Sequence, residues 1–397
     1  PFLLRFFAKC KFTDKYSNFA IVFSDMFLSR ILITDFKNIA LSDLEFSDKL
    51  NCISGSNGSG KTNLLDAVYS LSMGKSFFNW QDAFSVRHGC KSCAVAGFYT
   101  MDDESVTKIG LAIYTGEQEG KTVKKNDKAY KRLADHIGLL PVVMVSPQDS
   151  SLINSSAEER RRFVNALLSQ TDREYLDRLQ RYNKILMQRN RLLKDFNVQK
   201  ELLEVFDTQL CDNAAYISEA RKKLCILLQD SVQNYYTEVS GAAESVSLSY
   251  QSELLKLSMK EILEKNTERD RIMGFTTGGI HRDDLLFDMS TDGKLYSPLR
   301  RTASQGQQKC FQIALKLAQF DIMKSKTGGL APILLLDDIF DKLDISRVEN
   351  LLQMVSGSNF GQIFITDSNK VRMDALIDKV GGRCSKFEVS SGTVQRI

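Results

Sequence analysis

The sequence predicts an α/β fold interrupted by a helical insertion, on three observations. A glycine-rich loop at 55–62 stands between a short apolar segment and the start of a helix. A second apolar run, Pro332-Ile333-Leu334-Leu335-Leu336, ends in the carboxylates Asp337 and Asp338, as a strand buried on both faces does. Between them, over 155–236, apolar residues fall at every third or fourth position, the spacing of amphipathic helices. A chain of 397 residues exceeds one small core, so two domains, or one with a large insertion, are expected. The expected division is an upstream segment (1–25), the first part of an α/β domain (26–150), a helical arm or lid (151–274) and the second part of the α/β domain (275–397).

Residues 1–25 show neither alternation nor helical period, and lack the basic stretch, long apolar stretch and cleavage site of a signal peptide. They read as translated upstream sequence, with Met26 as the native start. Strands are expected at 28–34, 41–46, 50–54, 93–99, 106–114 and 142–145, and a helix at 61–72. The loop Gly55-Ser56-Asn57-Gly58-Ser59-Gly60-Lys61-Thr62 fits G-x-x-x-x-G-K-[ST]. Its glycines let backbone N–H groups turn inward as an anion nest, and the following helix adds its positive N-terminus. Lys61 would reach the β- and γ-phosphates of a nucleotide, and the Thr62 hydroxyl would ligate Mg²⁺.

Basic residues at 121, 124, 125, 128, 131 and 132 mark either a solvated hairpin face or a contact to a phosphate backbone, with Lys124 and Lys125 as candidates. Two capping boxes, Ser156-Ala157-Glu158-Glu159 and Thr171-Asp172-Arg173-Glu174, place helix starts near 157 and 172. One stripe runs Tyr175, Leu176, Leu179, Tyr182, Leu186, Leu193, Phe196, and a second from Leu202 to Val232. Two such helices, each roughly 35–55 Å long, would pair as an antiparallel arm. Arg160, Arg161, Arg162, Arg178, Arg181, Arg189, Arg191 and Lys194 give the arm a basic cast. Most would line its solvated face; Arg160, Arg161, Arg162 and Arg189 are candidate DNA contacts.

Asp337 would hold Mg²⁺ and Asp338 would polarise the attacking water. Ser304-Gln305-Gly306-Gln307-Gln308 precedes a helix and offers a second anion site. One nucleotide can use two separate nests at its γ-phosphate only if a second protomer presents one of them, which predicts a two-fold, head-to-tail dimer with ATP at the interface.

Composition adds bounds. With 53 basic against 49 acidic residues, the net charge of +4 is too mild to establish a nucleic-acid partner by itself. Eight scattered cysteines suggest buried thiols in a reducing compartment. His88, Cys90 and Cys93 lack a second ligand pair at zinc spacing and read as strand residues. No apolar run approaches the roughly 18 residues needed to span a bilayer.

Together the loop, the Ser-Gln-Gly-Gln-Gln segment, the Leu-Leu-Leu-Asp-Asp strand and Lys342-Leu343-Asp344 resemble the ABC-type ATPases of the SMC superfamily, and within them the RecF family. Phe36-Lys37-Asn38, Lys61 to Ala67, Glu159 to Phe163, Gln188 to Lys194 and His281 to Leu285 carry the resemblance further, in family order from about 27 to 370. Asn154, Ala157, Asn165, Ile280 and Asp341-Lys342 depart from the family pattern. The resemblance implies an ABC/SMC-type P-loop ATPase head with an inserted helical arm. It makes Asp344 the residue of a D-loop, Ser304–Gln308 a signature working in trans, and Gln148, Thr366 and Asp367 sensor candidates. It further implies a slow, DNA-stimulated ATPase in the cytoplasm at the nucleoid, acting in DNA replication, repair and the SOS response to damage. Such a protein dimerises on ATP, binds duplex DNA and single-strand gap junctions, and works with RecR and RecO in loading recombinase. A transport-coupled ABC subunit would carry a terminal His where Thr366-Asp367 stands, and a small-molecule kinase would leave 304–308 unexplained. A full structural-maintenance protein would need hundreds of coiled-coil residues.

Overall fold

The computed structural model describes residues 26–397 except 80, 102, 196–199, 242–243, 341–342, 344, 358, 371 and 375–383. The expectations for residues 1–25 and for Asp344 therefore lie outside the described residues. The chain begins with β1 (Met26–Phe36), β2 (Ile39–Glu45), β3 (Leu50–Ser54), α1 (Lys61–Met73), β4 (Ser92–Met101), β5 (Val106–Tyr114), β6 (Gly120–Lys125), β7 (Lys128–Ala129) and β8 (Val142–Val145). Helices follow: α2 (Ser150–Asn154), α3 (Ala157–Thr171), α4 (Arg173–Leu192) and α5 (Lys200–Ser240). Next come β9 (Ser245–Gln251), α6 (Met259–Met273), β10 (Asp284–Ser290), β11 (Ser297–Pro298), α7 (Leu299–Thr302) and α8 (Gln305–Lys326). The last elements are β12 (Ile333–Leu336), α9 (Ile345–Val355), β13 (Ile363–Asp367), β14 (Cys384–Ser390) and β15 (Thr393–Arg396). All six strands and the helix expected before residue 150 are present.

The unbroken apolar runs form the central sheet, ordered β15-β14-β3-β13-β12-β8 and parallel except for β15. Alternate residues of its strands enter two different cores. Leu334 and Leu336 of β12, with Ile363 and Ile365 of β13, pack with Phe311 and Phe320 of α8. Ile333, Leu335 and Phe364 face the opposite way, onto Leu64, Val68 and Leu71 of α1 and Ile31 and Val95 of an antiparallel sheet. That second sheet is ordered β2-β1-β4-β5-β6-β7. Lying between two sheets, α1 is buried on nearly all sides, and its sequence is correspondingly apolar around most of its circumference. A three-stranded sheet, β11-β10-β9, completes the set.

The helical insertion departs from the two helices of roughly 35–55 Å expected. α4 has 20 residues and α5 has 41, so they span about 30 and about 60 Å. They pair antiparallel over part of that length: Arg189 meets Asp207, Arg178 meets the Asp212 carbonyl, and Asp172 meets Tyr216. Beyond this, Leu224, Leu228, Val232 and Tyr236 of α5 share the core of Phe311 and Phe320, so half of the helix is head rather than arm. The caps differ too. Ser156 makes no side-chain cap, and Glu159 pairs with Arg162 instead. α4 starts at 173, capped by Asp172, which accepts from Tyr175 N at 2.9 Å; the Thr171 hydroxyl donates back to Leu167 O at 3.1 Å.

Candidate nucleotide site

Four adjacent parallel strands, β3, β13, β12 and β8, end on one edge of the central sheet, where open α/β sheets bind ligands. The loop 55–62 leaves β3 there. Gly55 (φ +155°) lies so close to β14 that a Cβ would meet Val389 O at 2.4 Å. Gly60 (φ +121°) would push a Cβ to 2.8 Å from the Asn38 amide. Only glycine fits either position. Lys61 begins α1 and is 6% exposed; its Nζ donates to Gly55 O at 2.7 Å and Ser56 O at 3.1 Å, curling over the loop it would serve.

Beside the loop, Thr62 Oγ1 lies 2.9 and 3.0 Å from the two carboxylate oxygens of Asp337. Thr366, at the end of β13, donates to Asp337 Oδ1 at 2.8 Å, and its hydroxyl oxygen accepts from Asp338 N at 2.9 Å. Burial holds the Asp337 carboxyl above its ordinary range, opposed by these hydroxyl donors. Asp338 sits in left-handed backbone at φ +45°, a strained conformation of the kind that collects at functional sites. A hydroxyl and a carboxylate side by side are hard oxygen donors of the type Mg²⁺ takes, so the residues fit that ion.

Of the sensor candidates, only Thr366 touches this cluster directly. Asp367 is fully buried and committed to Arg372, at 2.6 and 2.7 Å. Gln148 is exposed in the turn after β8, whose Ser146 and Asp149 form a capping box. Lys316 of α8, almost fully buried, pairs with Asp149 at 2.8 Å and ties that turn to the helix following Ser304. Sequence reasoning missed Lys316, because a lysine inside an apolar helix carries no motif. It also missed the pair Lys37–Asp66 (2.6 Å), which links the β1–β2 turn to α1.

The segment 304–308 caps α8. Ser304 accepts from Gln307 N, and the Gln307 side chain returns to Ser304 N at 2.8 Å. The remaining hydrogen bonds of the segment go to Glu244, Asn154 and Ala303 rather than to the loop at 55–62. Ser304 and Gln305 are exposed, so this helix end faces outward.

The DNA candidates separate. Arg160 forms a two-pronged pair with Asp284 (2.6 and 3.0 Å) and is 9% exposed, while Arg189 is 2% exposed between Asp207 (2.6 Å) and Asp270 (2.8 Å). Both are internal ties whose guanidinium groups are committed to carboxylates, which speaks against their expected role as DNA contacts. Arg161 donates to Asp283 O at 2.7 Å, and Arg162 is taken by Glu158 and Glu159. Arg160 and Arg161 thus belong to the join between α3 and the start of β10, while Arg162 pairs within α3. Lys124, on the β6–β7 hairpin at the edge of the antiparallel sheet, is exposed, and Lys125 partly so. Cys93 is buried in β4, which pushes its thiol up to about 12.

Fold and site define an ABC/SMC-type ATPase head: a phosphate loop, an apolar strand ending in paired carboxylates, and an outward helix cap on one α/β body. A family model described as RecF/RecN/SMC N terminal domain matches residues 27–385. The DNA replication and repair protein RecF of Bacteroides fragilis is 44% identical over 375 residues, covering 94% of this chain and 99% of its own. That of Porphyromonas gingivalis is 41% identical over 370 residues, covering 93% and 100%. The chain belongs to the RecF family. Among solved structures, the recombination mediator protein RecF-ATP in the RecFOR pathway has a TM-score of 0.83 at 29% identity, covering 96% of this chain and all of that one. An Smc head domain from Pyrococcus furiosus, at 16% identity and a TM-score of 0.56 over 94% and 96% of the chains, shares the fold.

Proposed function

We propose that this protein is a RecF-like ATPase whose nucleotide acts as the latch of a DNA-bound dimer in replication and recombinational repair. The observation that carries the reading is the placing of Thr62 against Asp337 beside the loop that holds Lys61. In a nucleotide complex, Lys61 turns from the loop carbonyls to the β- and γ-phosphates, and Gly55–Thr62 amides surround them. Thr62 and Asp337 would hold Mg²⁺, which when bound would supply charge neutralisation at the phosphates. Asp338 polarises the attacking water, with Thr366 fixing its backbone N–H.

Ser304 and Gln305 stand exposed at the start of α8, as residues serving the loop of a second copy must. ATP bridging two copies closes the dimer; hydrolysis removes the bridging γ-phosphate and reopens it. Duplex DNA and gap junctions are the partners, with RecR- and RecO-type mediators joining in recombinase loading at the nucleoid. Among the described residues no helix is long and apolar enough to cross a membrane.

ATP turnover and self-association, measured with and without duplex DNA, test the reading. Wild type is expected to dimerise with ATP; Lys61→Ala loses the dimer, and Asp338→Asn keeps it while losing turnover. Wild type that stays monomeric with ATP, or whose turnover ignores DNA, overturns it.

A further inference from the structure

Two segments at opposite ends of the described chain grip the back of the phosphate loop at a single atom, the carbonyl oxygen of Ser59. Asn38, in the turn between β1 and β2, donates its Nδ2 to Ser59 O at 3.1 Å. Gly392, in the turn between β14 and β15, donates its backbone N–H to the same oxygen at 2.8 Å. Asn38 is itself fixed, accepting from Asn63 Nδ2 at 2.7 Å. The packing here leaves no room. A Cβ on Gly392 would stand 2.2 Å from Asn38 O, and Gly392 also has φ +81°. β14 pairs in parallel with β3 up to Glu388↔Ser54, which delivers the hairpin turn to the same sheet edge as the loop.

The peptide plane gives the grip its consequence. Ser59 C=O and Gly60 N–H belong to one trans peptide unit and point in opposite directions. Two donors holding the carbonyl outward therefore hold the Gly60 N–H inward, where an anion nest needs it. We propose that Asn38 and Gly392 are positioning residues for nucleotide binding, acting through the Ser59–Gly60 peptide. The proposal rests on the reading of 55–62 as the ATP loop. It makes the β14–β15 hairpin part of the nucleotide site through its hold on the loop.

The test compares Gly392→Ala, Asn38→Asp and Gly116→Ala in the full chain by ATP titration, steady-state turnover and thermal unfolding without nucleotide. Asn38→Asp keeps the acceptor for Asn63 and loses the donor to Ser59. Gly116 has the same φ of +81° with nothing within 4 Å of a Cβ, so its variant reports backbone strain without the grip. Gly392→Ala and Asn38→Asp are expected to raise the ATP Kd and KM roughly tenfold with kcat within about threefold, the pattern of lost uniform binding. Gly116→Ala should bind ATP as wild type does. If Gly392→Ala fails to fold, Asn38→Asp decides alone. Wild-type affinity in both variants, or an equal loss in Gly116→Ala, overturns the grip and leaves the loop reading intact. Wild type that binds no ATP overturns the loop reading, and the grip with it.

Discussion

Thr62 and Asp337, separated by 275 positions in sequence, share one hydroxyl proton across 2.9 and 3.0 Å. Asp337 is 3% exposed, and burial raises its pKa above the ordinary 3.8. The folded protein thus binds the titrating proton of the Asp337 carboxyl more tightly than the unfolded chain does. Stability falls as pH rises from 3.8 through the folded value, and the cost then stays constant to neutral pH. Asp337→Asn removes that cost. It is expected to stabilise the nucleotide-free protein, read as a higher urea midpoint at neutral pH. The same variant should lower ATP turnover by on the order of a hundredfold or more, since the fixed charge beside the phosphates is gone. A destabilised Asp337→Asn protein would contradict the burial argument.

His281 gives a pH dependence of the opposite sense. Its ring nitrogens meet Tyr182 Oη at 2.9 Å and Thr276 O at 3.0 Å, and burial, with Arg282 and Arg161 nearby, lowers its pKa from 6.5 to about 4. Below 6.5 the unfolded chain takes up a proton that the folded protein resists, so stability is lost as pH falls from 6.5 towards 4. His281→Gln should flatten this part of the profile. Urea midpoints at pH 7 and pH 5 are expected to differ less in the variant than in wild type, by about 1–2 kcal/mol in free energy. Equal pH dependence in the two proteins would refute it.

Basic residues that look equivalent in sequence should behave differently. Arg189→Ala leaves the fully buried Asp270 without its charge partner and is expected to cost about 3–5 kcal/mol, read as a lower urea midpoint. Arg189→Lys should recover only part of this, because an ammonium cannot reach Asp207, Asp270 and Thr276 together as the guanidinium does. Lys124→Glu with Lys125→Glu should leave the midpoint unchanged. That pair should weaken DNA binding roughly tenfold and reduce the salt dependence by about one unit per lost phosphate contact. Unchanged DNA affinity would remove the hairpin from the interface.

The same contrast separates what was legible in the sequence from what was not. The loop, β3 and β12 were legible because their requirements are local: glycines at Gly55 and Gly60 where no Cβ fits, and unbroken apolar runs where both sheet faces are covered. The fate of the arginines was not, because their partners are distant. Asp284 lies 124 positions from Arg160, and Asp270 lies 81 from Arg189. Helical periodicity showed that α5 has an apolar face without showing what covers it. α8 covers half of that face, and this turned an expected arm into part of the head. The cap at Asp172 in place of Thr171 is a one-residue competition between two good capping side chains, settled by Thr171 bonding back to Leu167. Asn38 and Gly392 sit outside any phosphate-loop pattern and acquire their place only when β14 lies against β3.

A composite site makes a prediction that no single-subunit site can imitate. Lys61→Ala disables the loop of a subunit, and Ser304→Arg blocks the helix cap that the same subunit presents outward. Neither homodimer then has an intact site. In a mixed dimer, the loop of the Ser304→Arg subunit meets the cap of the Lys61→Ala subunit, and one of the two sites is whole. Because neither variant has an intact latch by itself, ATP favours the mixed pair, and turnover should return from near zero in either variant alone towards a ceiling of about half the wild-type level, one site in two. The recovered rate should also rise with total protein concentration, as assembly requires. If each site were built within one chain, Ser304→Arg would retain its own turnover and mixing would only average the two proteins.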